Sequence, residues 1–276
     1  MTKISKILEY SKDNKQVYSV LRNLIRKGEI FPFVGAGMSA PIYPTWKKYL
    51  INVAESFDTE DIIDKYRSKI EEENADYENI ASEMLEEKGK AGFNATIQDT
   101  FGKHSDSINL KTQAIWLLPL LFNKVIFTTN YDELLKNVYE QQGKDPHVIL
   151  PKQIEATNSA MRGTLDNTIV MLHGNYYEPS SIILTKEVYN LAYDNTNGIL
   201  RKELEKYYKN RVCLFLGCSL HNDRTLEILK ETLEPGQNHF AILSCEKNIY
   251  PNVVENWEKW VYFLFFIHQG SIHRFV

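Results

Sequence analysis

Apolar positions recur along this chain with two different periods. Val17, Val20, Leu21, Leu24 and Ile25 fall on one face of a 3.6-residue helix between about Val17 and Lys27, and a second helical pattern runs from Thr45 to Phe57. Between them, EIFPFVG reads as a short buried strand entering a glycine turn. Its pairing is expected to start after Pro32, because proline has no N–H to give to a ladder. From Thr59 to Gly89 charged residues surround Ile62, Ile63, Tyr66, Ile70, Ile80, Met84 and Leu85 at helical spacing. This predicts a largely helical insertion over about residues 58–118.

From Lys124 onward the period shortens. KVIFTTN, TIVMLHG, SIILT, RVCLFLG, HFAILS and VYFLFFIH are short, apolar and rich in β-branched and aromatic residues. Helical patterns alternate with most of them, at Asp132 to Gln142, Lys186 to Tyr208, Arg224 to Leu233 and Pro251 to Trp260. Strands apolar on both faces and separated by helices indicate a parallel sheet covered on both sides. The expected fold is α/β: a Rossmann-like open parallel sheet with helices on both faces and a helical insertion between the first two strands. We expect residues 1–276 to form one domain. Open sheets bind ligands outside the carboxyl ends of their strands, so the residues just after each strand carry the functional question.

Composition narrows the classes. With 276 residues, 43% hydrophobic, 25% charged and a net charge of -4, the chain is an ordinary globular sequence without the basic surplus of a nucleic-acid binder. No apolar run reaches the ~18 residues that cross a bilayer, so no membrane partner is expected. The N-terminal MTKISKILEYSKDNK has no apolar core of a secretory signal. Three unpaired-looking cysteines, Cys213, Cys218 and Cys245, favour a reducing cytoplasm over a disulfide framework.

Four strand ends carry chemistry. After the first come Gly35, Ala36, Gly37 and Ser39; glycines let backbone approach a phosphate closely, and a following helix N-terminus offers N–H groups to an anion. The same turn can also be simple packing, and it lacks both the third glycine of G-x-G-x-x-G and a Walker lysine. After the second come Thr129, Asn130 and Asp132. Asp132 suits a helix cap, whereas the amide of Asn130 suits the orientation of a sugar hydroxyl or a water. After the third comes His173, either a hydrogen-bonded structural residue or the best general base of the chain. After the fourth, Gly217 and Ser219 repeat the logic of the first turn.

In order and spacing, GAGMS, TTNYD, HG and GCSL resemble the signatures of the sirtuin (silent information regulator) superfamily, over about Phe31 to Ser244. The resemblance implies that NAD is bound as a substrate and cut between nicotinamide and ribose. Gly35, Ala36, Gly37 and Ser39 would cradle the pyrophosphate, with Asn130 and Asp132 along the nicotinamide ribose and Thr129 among the cofactor-binding residues. His173 would act as base on a ribose hydroxyl or water, and Gly217 and Ser219 would contact the adenosine half.

The departures are as informative. Protein-deacylating sirtuins usually carry a four-cysteine zinc module between the HG pair and the last turn, but Gly174 to Arg211 holds no cysteine and no further histidine here. No metal is expected. The deacylase loop G-I-P-D-F-R has become APIYPTW, without its acid and arginine, and Thr129 replaces the usual glutamine. These features are similar to the zinc-free bacterial sirtuin-like proteins of anti-phage defence, which are typically NAD glycohydrolases. The resemblance therefore implies release of nicotinamide and ADP-ribose, or a cyclic product. A zinc-free deacylase or ADP-ribosyltransferase, and a non-catalytic NAD or ADP-ribose sensor, are the alternatives. A free NADase harms its host, so gating by a homo-oligomer or by an activating partner protein of a defence system is expected. The N-terminal helix and the acidic stretch Glu71 to Glu87 are the candidate contact surfaces.

Overall fold

A computed structural model describes residues 14–40, 42–102, 109–153, 165–218, 224–232 and 239–244, and the backbone of 263–267. The strands are β1 (Ile30–Val34), β2 (Val125–Thr128), β3 (His147–Ile149), β4 (Thr168–Met171), β5 (Val212–Leu216), β6 (Phe240–Ser244) and β7 (Phe263–Ile267). They form one sheet in the order β3-β4-β2-β1-β5-β6-β7, with every neighbouring pair parallel. The chain steps from β1 outward on one side through β2, and on the other through β5. The switch point of this Rossmann-like sheet therefore lies between β1 and β5.

Alternation along the strands feeds two cores. Ile30, Val34, Ile126, Ile169, Met171, Leu214 and Leu216 enter one, while Phe31, Phe33, Val125, Phe127, Val170, Cys213 and Phe215 enter the other. Phe33 stacks on Phe127 across the β1–β2 pair at 6.1 Å, and burying each such ring stabilises the fold by roughly 1.5–3 kcal/mol. The first core is covered by α1 (Asn14–Lys27), α2 (Trp46–Glu55), α3 (Glu60–Glu71), α4 (Tyr77–Phe101) and α6 (Leu134–Gln141). A short α5 (Leu118–Leu121) precedes β2. The second core is covered by α7 (Lys186–Tyr193), α8 (Ile199–Asn210) and α9 (Arg224–Thr232).

The helix expected from Thr45 to Phe57 is α2, and the expected insertion is present as α3 and α4, with Gly89 (φ 75°, ψ 154°) interrupting the longer of them. Proline does delay pairing, but on one side alone: β1 meets β2 from Phe33 onward and β5 already from Ile30. Two expectations fail. SIILT is not a strand; after a 3-10 turn at Pro179–Ser181 it crosses the carboxyl edge, where Ile183 N–H donates to the His173 carbonyl at 2.9 Å. The single helix expected over Lys186 to Tyr208 is two helices, α7 and α8. The Asp194 carboxylate accepts the N–H groups of Thr196 and Asn197, both at 2.8 Å, and so builds a turn that competes with the helix. The edge strand β3 was not expected as a strand. The helix expected at Pro251 to Trp260 lies outside the described residues.

Candidate functional site

Register brings the four signatures to one edge. Val34 pairs with Thr128 and with Leu216, and Thr128 pairs with Met171. The residues that follow these strands, Gly35, Thr129, Leu172 and Gly217, therefore start at one height on four adjacent strands. Gly35 N–H donates to the Leu216 carbonyl at 2.9 Å, Thr129 N–H to Val34 at 3.2 Å and Leu172 N–H to Thr128 at 2.8 Å.

The glycines of the first and fourth turns face each other across the switch point. A Cβ on Gly35 would lie 2.7 Å from the Gly217 carbonyl oxygen, and one on Gly37 would lie 2.8 Å from the same atom. Gly37 N–H donates to that carbonyl at 2.8 Å. The turn after β1 continues as one 3-10 turn, Ala36–Met38, rather than a helix. Met38 and Ser39 N–H donate back to Gly35 and Ala36. The free helix N-terminus expected for an anion is thus not built here, and the N–H groups of Gly35 and Gly37 bond across to β5 instead. Ser219 lies outside the described residues.

Ser39, Asn130 and Asp132 are buried, with 2%, 8% and 5% exposure, and form a connected set. Asn130 Nδ2 donates to Ser39 Oγ at 3.0 Å and to the Gly35 carbonyl at 3.3 Å. Ser39 Oγ donates to Asp132 Oδ1 at 3.2 Å. Asp132 Oδ1 also accepts Leu134 N–H at 3.0 Å; the N-cap of α6 is Glu133, so Asp132 satisfies the first N–H of the helix from one residue before the cap position. Burial raises the Asp132 carboxyl to about 6, against the opposing pull of the hydrogen bonds it accepts from Leu134 and Ser39. Asn130 is tethered from below: its N–H donates to Thr128 Oγ1, which in turn donates to the Val34 carbonyl.

Asn130 Oδ1 is buried and has no hydrogen-bond partner. A buried carbonyl left so costs about 1–3 kcal/mol, which a ligand hydroxyl or a water recovers by donating to it. Beside it lies a cavity of about 10 Å³ lined by Thr128, Asn130, Asp132 and Asn175 among others, the size of one water.

His173 sits one strand further, 6% exposed, in a cage of tyrosines. Nε2 lies 2.9 Å from the Tyr193 hydroxyl and Nδ1 lies 3.3 Å from that of Tyr189. Both tyrosine rings meet the imidazole edge-on, and Tyr131 packs against it at 6.5 Å. Trp46, from the APIYPTW segment, stacks on Tyr189 at 5.7 Å. Burial pushes the imidazole down to about 3. The ring is therefore neutral, but a weaker base than its ordinary value promised, and it gains a proton readily only when water or negative charge enters. Tyr131, Tyr189 and Tyr193 were not among the expected site residues; the signal available for two of them was their i, i+4 spacing in KEVYNLAY. Among the described residues, no group of three or more His, Cys, Asp or Glu side chains is placed to hold a metal ion.

An open parallel sheet with its polar groups gathered at the carboxyl edge beside the switch point defines a Rossmann-like ligand-binding protein. Residues 124–262 match the SIR2-like domain family, and the chain belongs to that family. The glycine turn after β1 lies before the matched residues.

The chain is 25% identical over 239 residues to a protein named NAD(+) hydrolase ThsA from Enterococcus faecium, covering 84% of this chain and 46% of that protein. It is 26% identical over 222 residues to the protein of the same name from Bacillus cereus, covering 78% and 43%. It is 22% identical over 234 residues to Defense-associated sirtuin 2 of Bacillus subtilis, covering 76% and 21%. The chain thus spans less than half the length of each of these relatives. No helix among the described residues is long and apolar enough to cross a membrane.

Proposed function

We propose that this chain is an NAD glycohydrolase of a cytoplasmic anti-phage defence system. The observation that carries the reading is the buried, unpartnered Oδ1 of Asn130, held by Ser39 and Gly35 at the edge where a SIR2-like sheet takes its ligand. The names of the relatives, hydrolases of NAD(+) and a defence-associated sirtuin, support the same substrate.

In the reaction, the C1′–N bond of the nicotinamide ribose breaks and the electron pair leaves with nicotinamide, which departs neutral because its ring is cationic in NAD. The ribose passes through an oxocarbenium-like state, and water, or a group of the substrate itself in a cyclising variant, supplies the new bond to C1′. Asn130 Oδ1 accepts from a ribose hydroxyl or from the attacking water and so fixes its position, and His173 takes the proton released. Gly35, Ala36, Gly37, Ser39, Thr129, Asp132, Gly217 and Ser219 line the dinucleotide. NAD is the substrate, and the reading needs no metal. Activity is gated by a homo-oligomer or a partner protein, as a host-protecting control on NAD consumption.

Nicotinamide release from NAD, followed by chromatography with and without an acyl-lysine peptide, tests this. We expect peptide-independent release, reduced about 10²-fold or more in Asn130→Ala and His173→Ala. Release that requires the peptide would assign a deacylase instead. NAD binding without release, under every activating condition, would assign a sensor.

A further inference from the structure

The turn after β4 brings a second buried amide to the neighbourhood of Asn130. Gly174, at φ +84°, lets the chain fold back against Ser181; a Cβ there would lie 2.3 Å from the Ser181 carbonyl oxygen. Asn175 follows and is 1% exposed. Its N–H donates to Ser181 Oγ at 3.1 Å, and that hydroxyl donates to the Glu178 carbonyl at 2.7 Å. Its side-chain Oδ1 accepts Tyr177 N–H at 3.1 Å. A backbone N–H can only donate, so this bond fixes which end of the Asn175 amide is oxygen and which is nitrogen. The nitrogen, Nδ2, lies 3.2 Å from Met171 Sδ, and among the described residues that sulfur is its one acceptor. A thioether accepts weakly and the amide has two hydrogens, so a buried donor is left under-used.

Asn130 has the opposite shortage: its donors are taken by Gly35 and Ser39, and its buried acceptor Oδ1 is bare. Asn130, Asn175 and Asp132 line the same cavity of about 10 Å³, together with the apolar Val34, Ile169 and Met171. That space takes one water, and a buried water requires roughly two to four polar partners. We infer that Asn175 and Asn130 hold a single water there, which donates to Asn130 Oδ1 and to the Asp132 carboxylate and accepts from Asn175 Nδ2. On the NAD-cleaving reading, on which this step rests, that water is the nucleophile and Asn175 is a positioning residue for it. Its oxygen forms the bond to C1′ as the C1′–N bond breaks and the electron pair leaves with nicotinamide; the surplus proton passes to His173. Asn130 Oδ1 then has the attacking water, rather than a ribose hydroxyl, as its partner. The cavity also selects by size, because methanol is one carbon too large for a space that fits water.

A high-resolution crystal structure of the native protein reads the water directly. We expect one ordered water within hydrogen-bond distance of both Asn130 Oδ1 and Asn175 Nδ2; a dry cavity would overturn the inference. The nucleophile is read from the products of NAD cleavage in water–methanol mixtures, by chromatography of ADP-ribose and its methyl glycoside. The native protein should form methyl glycoside well below the share of methanol in the solvent. Asn175→Ala, which opens the cavity, should raise the ratio of methyl glycoside to ADP-ribose about fivefold or more. Asn175→Leu, close in volume but without the amide, should lower kcat for ADP-ribose formation about tenfold or more, with KM within about threefold. Retained near-native far-UV circular dichroism qualifies both variants for comparison, and the native water and native product ratio decide the matter if neither folds. A native ratio equal to that of the solvent, a purely cyclic product, or a ratio unchanged in Asn175→Ala would overturn the assignment of this water as nucleophile. A native protein that releases no nicotinamide overturns the NAD-cleaving reading instead, while the electron density still decides the water.

Discussion

Asn130 and Ser39 are joined side chain to side chain at 3.0 Å across 91 residues of sequence. The bond ties the end of β2 to the turn after β1, and the second hydrogen of the same amide goes to the Gly35 carbonyl. Asn130 thereby has both donors satisfied inside the protein and its acceptor free, a division of labour that a carboxylate cannot reproduce. Asn130→Asp should therefore lose NAD cleavage about as fully as Asn130→Ala, because it replaces two donors with acceptors facing a carbonyl and a hydroxyl. Both should also lose roughly 1–3 kcal/mol of stability through the unpaired Gly35 carbonyl. Urea denaturation beside the nicotinamide assay checks this; an active Asn130→Asp variant would show that the amide donors are dispensable.

Gly217 is locked into the opposite turn for two separate reasons. Its φ is +65°, and an added Cβ would lie 2.5 Å from Met38 N. Gly28 has nearly the same φ, +66°, but nothing within 4 Å of an added Cβ. The pair separates backbone strain from steric exclusion. Gly28→Ala should cost about 1 kcal/mol, while Gly217→Ala should cost at least about twice that and also disturb NAD binding. Equal denaturation midpoints for the two variants would mean that the β1 and β5 turns part easily.

The strands that build the edge were legible because they are apolar on both faces and end in polar residues, as in VIFTTN and VMLHGN. SIILT misled because an apolar run of strand length also forms where a segment crosses the sheet edge to cover it, as Ile183 and Leu184 do. No local pattern separates the two cases. The cage of His173 was illegible for a different reason. Tyr189 and Tyr193 reach the ring from α7, a helix whose placement depends on its packing against the sheet and α4. The histidine's identity was visible in the sequence, while its lowered basicity is a property of that burial. Ser39 and Asn130 were both singled out as candidates, but their direct bond needed the β1–β2 register.

The helical insertion is fastened to the far face by a charged contact. Arg224, at the start of α9, donates through Nε and Nη2 to the two carboxylate oxygens of Glu78 in α4, at 3.0 and 2.8 Å. With side-chain exposures of 31% and 13%, the pair is neither dry nor fully screened. Glu78→Gln should then cost roughly 1–2 kcal/mol, less in high salt, as expected for a half-exposed bidentate pair. Urea melts at low and high ionic strength check it. Salt-independent loss would assign the effect to packing and remove the electrostatic account.

His173 and Asp132 give the fold opposing pH dependences. Burial lowers His173 from its ordinary 6.5 to about 3, so between those values the unfolded chain binds the extra proton. Its contribution to stability is complete above about 6.5 and is lost as pH falls toward 3. Asp132 is raised from 3.8 to about 6, so the folded chain holds the extra proton, and its contribution is present below 3.8 and lost as pH rises through 6. Over the shared window the two slopes offset each other. Removing one should expose the other: in Asp132→Asn, stability should fall more steeply than in the native protein as pH drops from 6 to 4. In His173→Gln, the same change of pH should raise stability relative to the native profile. Denaturant midpoints at pH 4, 5, 6 and 7 for the three proteins decide the matter. Parallel profiles would mean that neither group titrates differently in the folded and unfolded chains, and that the edge of the sheet is wetter than its burial implies.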